Sequence, residues 1–278
     1  MTAALAAPRS FVVRELLPID RSALVELLRS LAPEEWSRPT ACAGWDVRDV
    51  ALHILGGDLN NISRRRDAEP AATWGPGEDP GDFLAQVNQE WVTAARRFSP
   101  RLIMELLETT GPALFAYFET LDPAVLGGPV SWAGPGPAPV WLDLAREYME
   151  RWVHQQHIRD ATGRPGQTDA RSVRPVIAAS MHSLPVAMAE RAGDAHEVVV
   201  VRVPGNAGGT WSVVRQDQAW LLVEGAAQDA RTTIEVTADD WWRLVTLGLR
   251  PDDVARRARV FGDADLAAAA FSAVAIIS

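Results

Sequence analysis

Glu147-Tyr148-Met149-Glu150-Arg151-Trp152-Val153-His154-Gln155-Gln156-His157 is the stretch on which the reading of this chain turns. It lies in an unbroken run from Val140 to about Thr162, stopped by Gly163 and Pro165, so it reads as one long helix. Glu150 and His154 are four residues apart and project from one face, one turn apart. A carboxylate and an imidazole placed that way can chelate one divalent ion. The third ligand must come from another helix. His53 is the candidate, because it sits mid-helix among Val50, Ala51, Ile54 and Leu55. Three ligands of type His, Glu and His with open positions suit a catalytic rather than a structural metal. The same spacing also describes an ordinary helix-surface pair, and a lone histidine on an apolar stripe also describes a satisfied core residue. Spacing leaves both readings open. His157 falls near the same stripe and reads as a pocket group or a surface residue rather than a ligand.

Outward from this helix, the first two thirds of the chain read helical. Asp20 is placed to cap a helix carrying Leu24, Val25, Leu27, Leu28 and Leu31. Asp46 is placed to cap a second, with Val47, Val50, Ala51, Ile54 and Leu55 on one stripe, running to about Arg66. Residues 68–81 are rich in proline and glycine and read as a loop long enough to be a lid or rim. Helices follow near Asp82 to Phe98, with Phe83, Val87, Trp91, Ala94 and Ala95 at helical spacing, and from Pro100 to about Leu121, the latter kinked at Gly111-Pro112. Another spans Arg171 to Ala192. After Gly193 the pattern changes to short β-branched and aromatic runs: Val198 to Val201, Thr210 to Val214, Trp220 to Val223 and Thr232 to Val236. Ala238 to Leu247 and Asp263 to Val274 return to helix. The expected fold class is therefore α + (α+β). A helical N-terminal domain occupies residues 1–170; a linking helix and a smaller α+β domain occupy residues 171–278.

Composition narrows the function. There are 27 basic and 36 acidic residues, a net charge of −9, which argues against a nucleic-acid partner or an anionic membrane surface. Every basic residue is arginine, so no Schiff-base, P-loop or pyridoxal-phosphate lysine exists. Cys42 is the one cysteine, which excludes an intrachain disulfide and a cysteine-based metal knuckle. The first eleven residues make a poor signal peptide, and the apolar run Leu266 to Ile277 is shorter than the roughly 20 residues a bilayer span needs. The expectation is a soluble, cytoplasmic protein.

Two motifs carry a family resemblance. Thr40-Ala41-Cys42-Ala43-Gly44-Trp45-Asp46-Val47-Arg48-Asp49-Val50-Ala51-Leu52-His53-Ile54-Leu55-Gly56-Gly57-Asp58 resembles the N-terminal signature of the DinB-like, mycothiol-dependent maleylpyruvate isomerase family. That signature is a Gly-Trp followed by a helix whose D-V-x-x-H stretch ends on the first metal ligand. Glu150 to His154 is similar to the family's E-x-x-x-H, which supplies the other two. Residues from about 195 to 278, with Trp241-Trp242-Arg243-Leu244 and Gly262-Asp263 in order, resemble the sterol-carrier-like domain that many members append. The resemblance covers nearly the whole chain. It implies a four-helix bundle holding a divalent ion, zinc before others, on His53, Glu150 and His154. It implies a low-molecular-weight thiol, mycothiol, as cosubstrate, activated as a metal-bound thiolate for attack on an electrophilic small molecule. Isomerisation and thiol transfer share that first step. A metal-dependent hydrolase or lyase without thiol, and a non-catalytic binder of small molecules or lipids, are the rival readings. Monomer and homodimer are both open.

Other residues weigh less. Asp58 follows Gly56-Gly57 and is a candidate to line the pocket. Gly56-Gly57 is no nucleotide loop, since no strand precedes it. Cys42 reads as a small buried hydrophobe rather than a nucleophile. Arg64-Arg65-Arg66 reads as a solvated helix end before a carboxylate clamp. Trp45 reads as packing, and so do Trp211, Trp220, Trp241 and Trp242, with an apolar tunnel as the alternative.

Overall fold

The computed structural model describes residues 13–70, 73, 75, 77–191 and 197–275. The N-terminal segment read for a signal peptide, Pro76, Ala192, His196 and the last three residues lie outside that range. By contact the chain divides into two compact units: residues 13–122 with 150–166, and residues 123–149 with 167 onward.

The first unit is helical. Its helices are α1 (Leu16–Arg29), α2 (Val47–Asn61), α3 (Pro80–Ala95), α4 (Pro100–Thr120) and the second half of α5 (Val140–Thr162). Helix α2 starts where the sequence predicts. The Asp49 amide donates to Asp46 Oδ1 at 2.9 Å and the Asp46 amide to Asp49 Oδ2 at 3.3 Å, a reciprocal cap. It runs on through a π-helical turn, Ile62–Arg66. Helix α1 packs on α4, and α2 packs on both α4 and α3. The core joins Leu24 and Leu28 of α1, Val50, Leu52 and Leu55 of α2, Val92 of α3, Ile103 and Leu107 of α4 and Ile158 of α5. Each such side chain contributes about 1.5–3 kcal/mol by leaving water.

Two expectations fail here. Asp20 does not cap α1, which begins four residues earlier; it is buried inside the helix and accepts from Gln155 Nε2 at 2.9 Å. The α3 stripe holds only in part: Ala95 is buried as expected, but Val87 and Ala94 are exposed and Val92, outside the stripe, is buried. Helix α4 continues through Pro112 as one helix. Gly111 there leaves room for Arg21, whose Nη1 donates to the Leu107 carbonyl at 2.7 Å.

The second unit is mixed. It holds the first half of α5, then α6 (Ala170–Ser180) and α7 (Leu184–Ala187), joined by a 3-10 turn where one continuous helix was expected. Pro185 lacks the N–H that would continue the ladder. Strands β1 (Val198–Val203), β2 (Gly209–Gln216), β3 (Ala219–Glu224) and β4 (Thr232–Glu235) fall on the predicted runs. Helix α8 (Ala238–Val245) and α9 (Pro251–Arg257) precede β5 (Arg259–Gly262), and α10 (Ala264–Phe271) follows it. The sheet order is β3-β2-β1-β4-β5, with β1 and β4 parallel and the other pairs antiparallel. Helix α9 and strand β5 were not expected. The strand is a four-residue exposed edge, with too little apolar alternation to show in sequence. All four tryptophans in question are buried in this unit. Trp241 Nε1 donates to Ser180 Oγ at 2.9 Å, tying α8 to α6.

Among the described residues, no helix is long and apolar enough to cross a membrane.

Candidate metal centre

Helix α2 and the second half of α5 face each other within the helical unit. His53 sits on the second turn of α2, and Glu150 and His154 sit one turn apart on α5. His53 Nε2 lies 2.9 Å from Glu150 Oε1, and His154 Nε2 lies 3.1 Å from the same oxygen. The two imidazole centroids are 4.6 Å apart. All three ligand atoms lie within 4.8 Å of one another. Ligands on a tetrahedral ion with bonds of about 2.0–2.2 Å are about 3.3 Å apart, so the donor set fits a divalent ion with little movement. A carboxylate with two imidazoles is also a donor type that zinc accepts. Counted from Asp49, the D-V-x-x-H spacing to His53 is met without offset; Asp46 is the helix cap and not the motif's aspartate.

The electrostatics are those of a coupled trio. Burial lowers the His53 pKa, and a hydrogen bond to Glu150 offsets this only in part. Burial works against a charged His154 too. There the Glu150 carboxylate and Cys42 outweigh it and push the imidazole up to about 10. For Glu150, burial pulls upward, but the His154 charge and hydrogen bonds from both histidines hold it well below the usual carboxylate range. The trio therefore presents an ionised carboxylate, a neutral His53 and an imidazolium at His154.

A second set of polar residues lies beneath. Asp58 is fully buried: Arg21 Nη1 is 2.6 Å from Oδ2, Arg151 Nη2 is 2.9 Å from Oδ1, and Thr110 Oγ1 donates to Oδ2 at 2.8 Å. Burial opposes its charge, and the two guanidiniums hold its pKa down nonetheless. The structure thus sets Asp58 among α1, α2, α4 and α5. Trp45 stands beside His53, ring centroids 4.9 Å apart, and its Nε1 donates to Gln89 at 2.9 Å. Arg66 pairs with Asp67, while Arg65 donates to Asn61 and lies over the Phe118 ring, so the arginine run behaves as a helix end.

His157 is brought to the same place as the trio, one ring from His154. Its Nδ1 lies 3.1 Å from Cys42 Sγ, and the same sulfur is 3.7 Å from His154 Nδ1. Cys42 is buried, as its residue type suggested, but its neighbours are imidazoles. The 154/157 spacing on one face was the one signal of this in sequence. Beside these residues a cleft of about 570 Å³ is lined by Thr40, Cys42, Trp45, Asp49 and Arg96, among others. Arg96 binds both oxygens of Asp49, at 2.9 and 2.7 Å.

The fold and this centre together define a class: a helical protein that brings a His–Glu–His ligand set together across two helices, joined to a mixed α/β unit. Comparison with known proteins narrows the class. Residues 19–159, half of the chain, match the mycothiol maleylpyruvate isomerase N-terminal domain, and the chain belongs to that family. Two solved structures share the fold, one of the mycothiol-dependent maleylpyruvate isomerase and one of a histidine-to-alanine mutant of it. They are 10% and 11% identical, each with a TM-score of 0.52, over 83% of this chain and 86% of theirs. No curated protein matches the chain.

Proposed function

We propose that this chain is a divalent-metal-dependent enzyme that uses a low-molecular-weight thiol, mycothiol, to act on an electrophilic small molecule. Isomerisation, in which the thiol adds and leaves again, is the reaction its relatives favour; a thiol that stays would make it a transferase. The observation that carries the reading is the single Glu150 oxygen faced by Nε2 of both His53 and His154. A divalent ion held there, zinc by donor type, would supply the positive charge that turns a thiol into a thiolate near neutral pH. Glu150 brings the negative charge that balances the site, and His53 and His154 bring neutral donors when His154 yields its proton. Arg151, next to Glu150, shares Asp58 with Arg21, so the α5 turn is pinned to α2 and the ligands are preset. Trp45, which lines the cleft, stands with its ring 4.9 Å from that of His53. Arg96, held by both oxygens of Asp49, forms part of the cleft wall.

We also read α1, α2, α4 and α5 as the four helices of a DinB-like bundle within residues 1–170, inside which the family match falls. Residues 171–278 then form a sterol-carrier-like domain. A reducing, cytoplasmic setting suits a thiol cosubstrate. The test is turnover of maleylpyruvate with and without mycothiol, alongside metal content by elemental mass spectrometry, in wild type and His53→Ala. Thiol-dependent turnover, with loss of both turnover and metal in the variant, is expected. A zinc-reconstituted wild type without metal would overturn the reading, and turnover without thiol would move it to a hydrolase or lyase.

A further inference from the structure

The two ring nitrogens of His154 face different partners. Nε2 faces Glu150 and His53; Nδ1 faces Cys42 Sγ at 3.7 Å, and that sulfur is 3.1 Å from His157 Nδ1. We propose that Cys42, His154 and His157 form a second metal position, for a borderline or soft cation such as Zn²⁺, and that His154 belongs to both positions. The proposal rests on the reading of the first position only through that shared histidine.

Three observations carry it. The first is donor geometry. The three ligand atoms lie within 4.8 Å of one another. With bonds of about 2.3 Å to sulfur and 2.0–2.1 Å to nitrogen, sulfur and nitrogen on a tetrahedral ion stand about 3.6 Å apart. The observed 3.1 and 3.7 Å bracket that edge. The second is chemistry. With both positions filled, His154 bridges as an imidazolate and releases its last ring proton to solvent. The second ion then meets one thiolate, one shared imidazolate and one neutral imidazole, a soft donor set that suits zinc and disfavours magnesium or calcium. All three residues are buried, so a cation there would be compensated by the thiolate and the bridging His154 imidazolate rather than by water.

The third is that the thiol is placed by its own loop. The Cys42 amide donates to Thr40 Oγ1 at 3.2 Å, and its carbonyl accepts from the Trp45 amide at 3.0 Å. The Thr40 amide and hydroxyl both donate to the Trp45 carbonyl, at 3.0 and 2.9 Å, which closes the loop. Gly44, at φ +78°, makes the left-handed step that the closure needs. The Cys42 backbone is thus held in place before any ion arrives, and Cys42 also lines the cleft.

The test is stoichiometry. Wild type, Cys42→Ala, His157→Ala and His53→Ala are loaded with Zn²⁺, desalted and weighed by native mass spectrometry, with metal content checked in parallel. Two ions in wild type, one in each variant, is the expected result. One ion in wild type that persists in Cys42→Ala would overturn the second position and leave the first intact; Cys42 would then only orient His154. No ion in wild type would overturn both. A cobalt titration of the wild type decides the matter should the variants not fold. Thiolate-to-cobalt charge-transfer absorption that appears with the second equivalent supports the position, and its absence at two equivalents overturns it.

Discussion

At the scale of single residues, burial outweighs the charged neighbours of Asp20. Burial pushes its carboxyl up to about 7, against the pull of Arg21, Arg151 and Arg159. The folded state therefore keeps a proton that the unfolded chain releases from about pH 4 upward. Stability from this group falls as pH rises from about 4 to about 7 and is level above, a loss of up to about 4 kcal/mol. Asp20→Asn keeps an oxygen for Gln155 Nε2 and removes the titration. The difference in urea midpoint between wild type and variant should favour the variant increasingly from pH 4 to 7; a difference independent of pH would show that Asp20 titrates normally. Nothing in the sequence around Asp20 separates this role from helix capping. Both put an aspartate near a helix start, and the partner, Gln155, is 135 residues away.

At the scale of elements, α2 is set by two different devices. Its start is local: the reciprocal Asp46–Asp49 cap contributes about 1 kcal/mol, and of it only the Asp46 half is read from the sequence. Its seat against α3 is not local. The Trp91 indole donates to the Leu52 carbonyl at 2.7 Å and lies over Gly56, where an added Cβ would stand 2.4 Å from Nε1. Gly56→Ala should force the indole out, cost about 1–3 kcal/mol by overpacking, and weaken metal binding through Leu52 and the neighbouring His53. Chemical denaturation and a zinc competition assay read the two effects. Gly57, with open space around it, serves as the control: an equal loss in Gly57→Ala would count against the packing account. The Gly56-Gly57 pair shows only helix-compatible small residues in sequence, because the atom that needs the space comes from another helix.

At the scale of the whole molecule, a ligand set shared by α2 and α5 links ion binding to folding. An ion that binds the folded chain and not the unfolded one stabilises it by about 2.7 kcal/mol at a hundredfold excess over Kd. Chelation with dialysis should lower the denaturation midpoint of the wild type, zinc should restore it, and His154→Ala should show neither response. An unchanged midpoint on chelation would mean that the helices hold the site without help from the ion. His154 is the informative choice, since removing it abolishes both ligand sets at once.

By itself the sequence determined the helices of the first unit, strands β1 to β4, the Asp46 cap and the identity of a His, Glu and His set. Each rests on spacing within one element or on motifs that stand whole in the chain, and local geometry decides both. Tertiary structure alone decided that Cys42 meets His157 across 115 residues. It also decided that Asp20 is buried, that Gly56 receives a tryptophan and that β5 forms the sheet edge beside β4. Those outcomes depend on which helix faces pack together and how deeply. Periodicity names the buried face of each helix, but it does not name the neighbour that buries it.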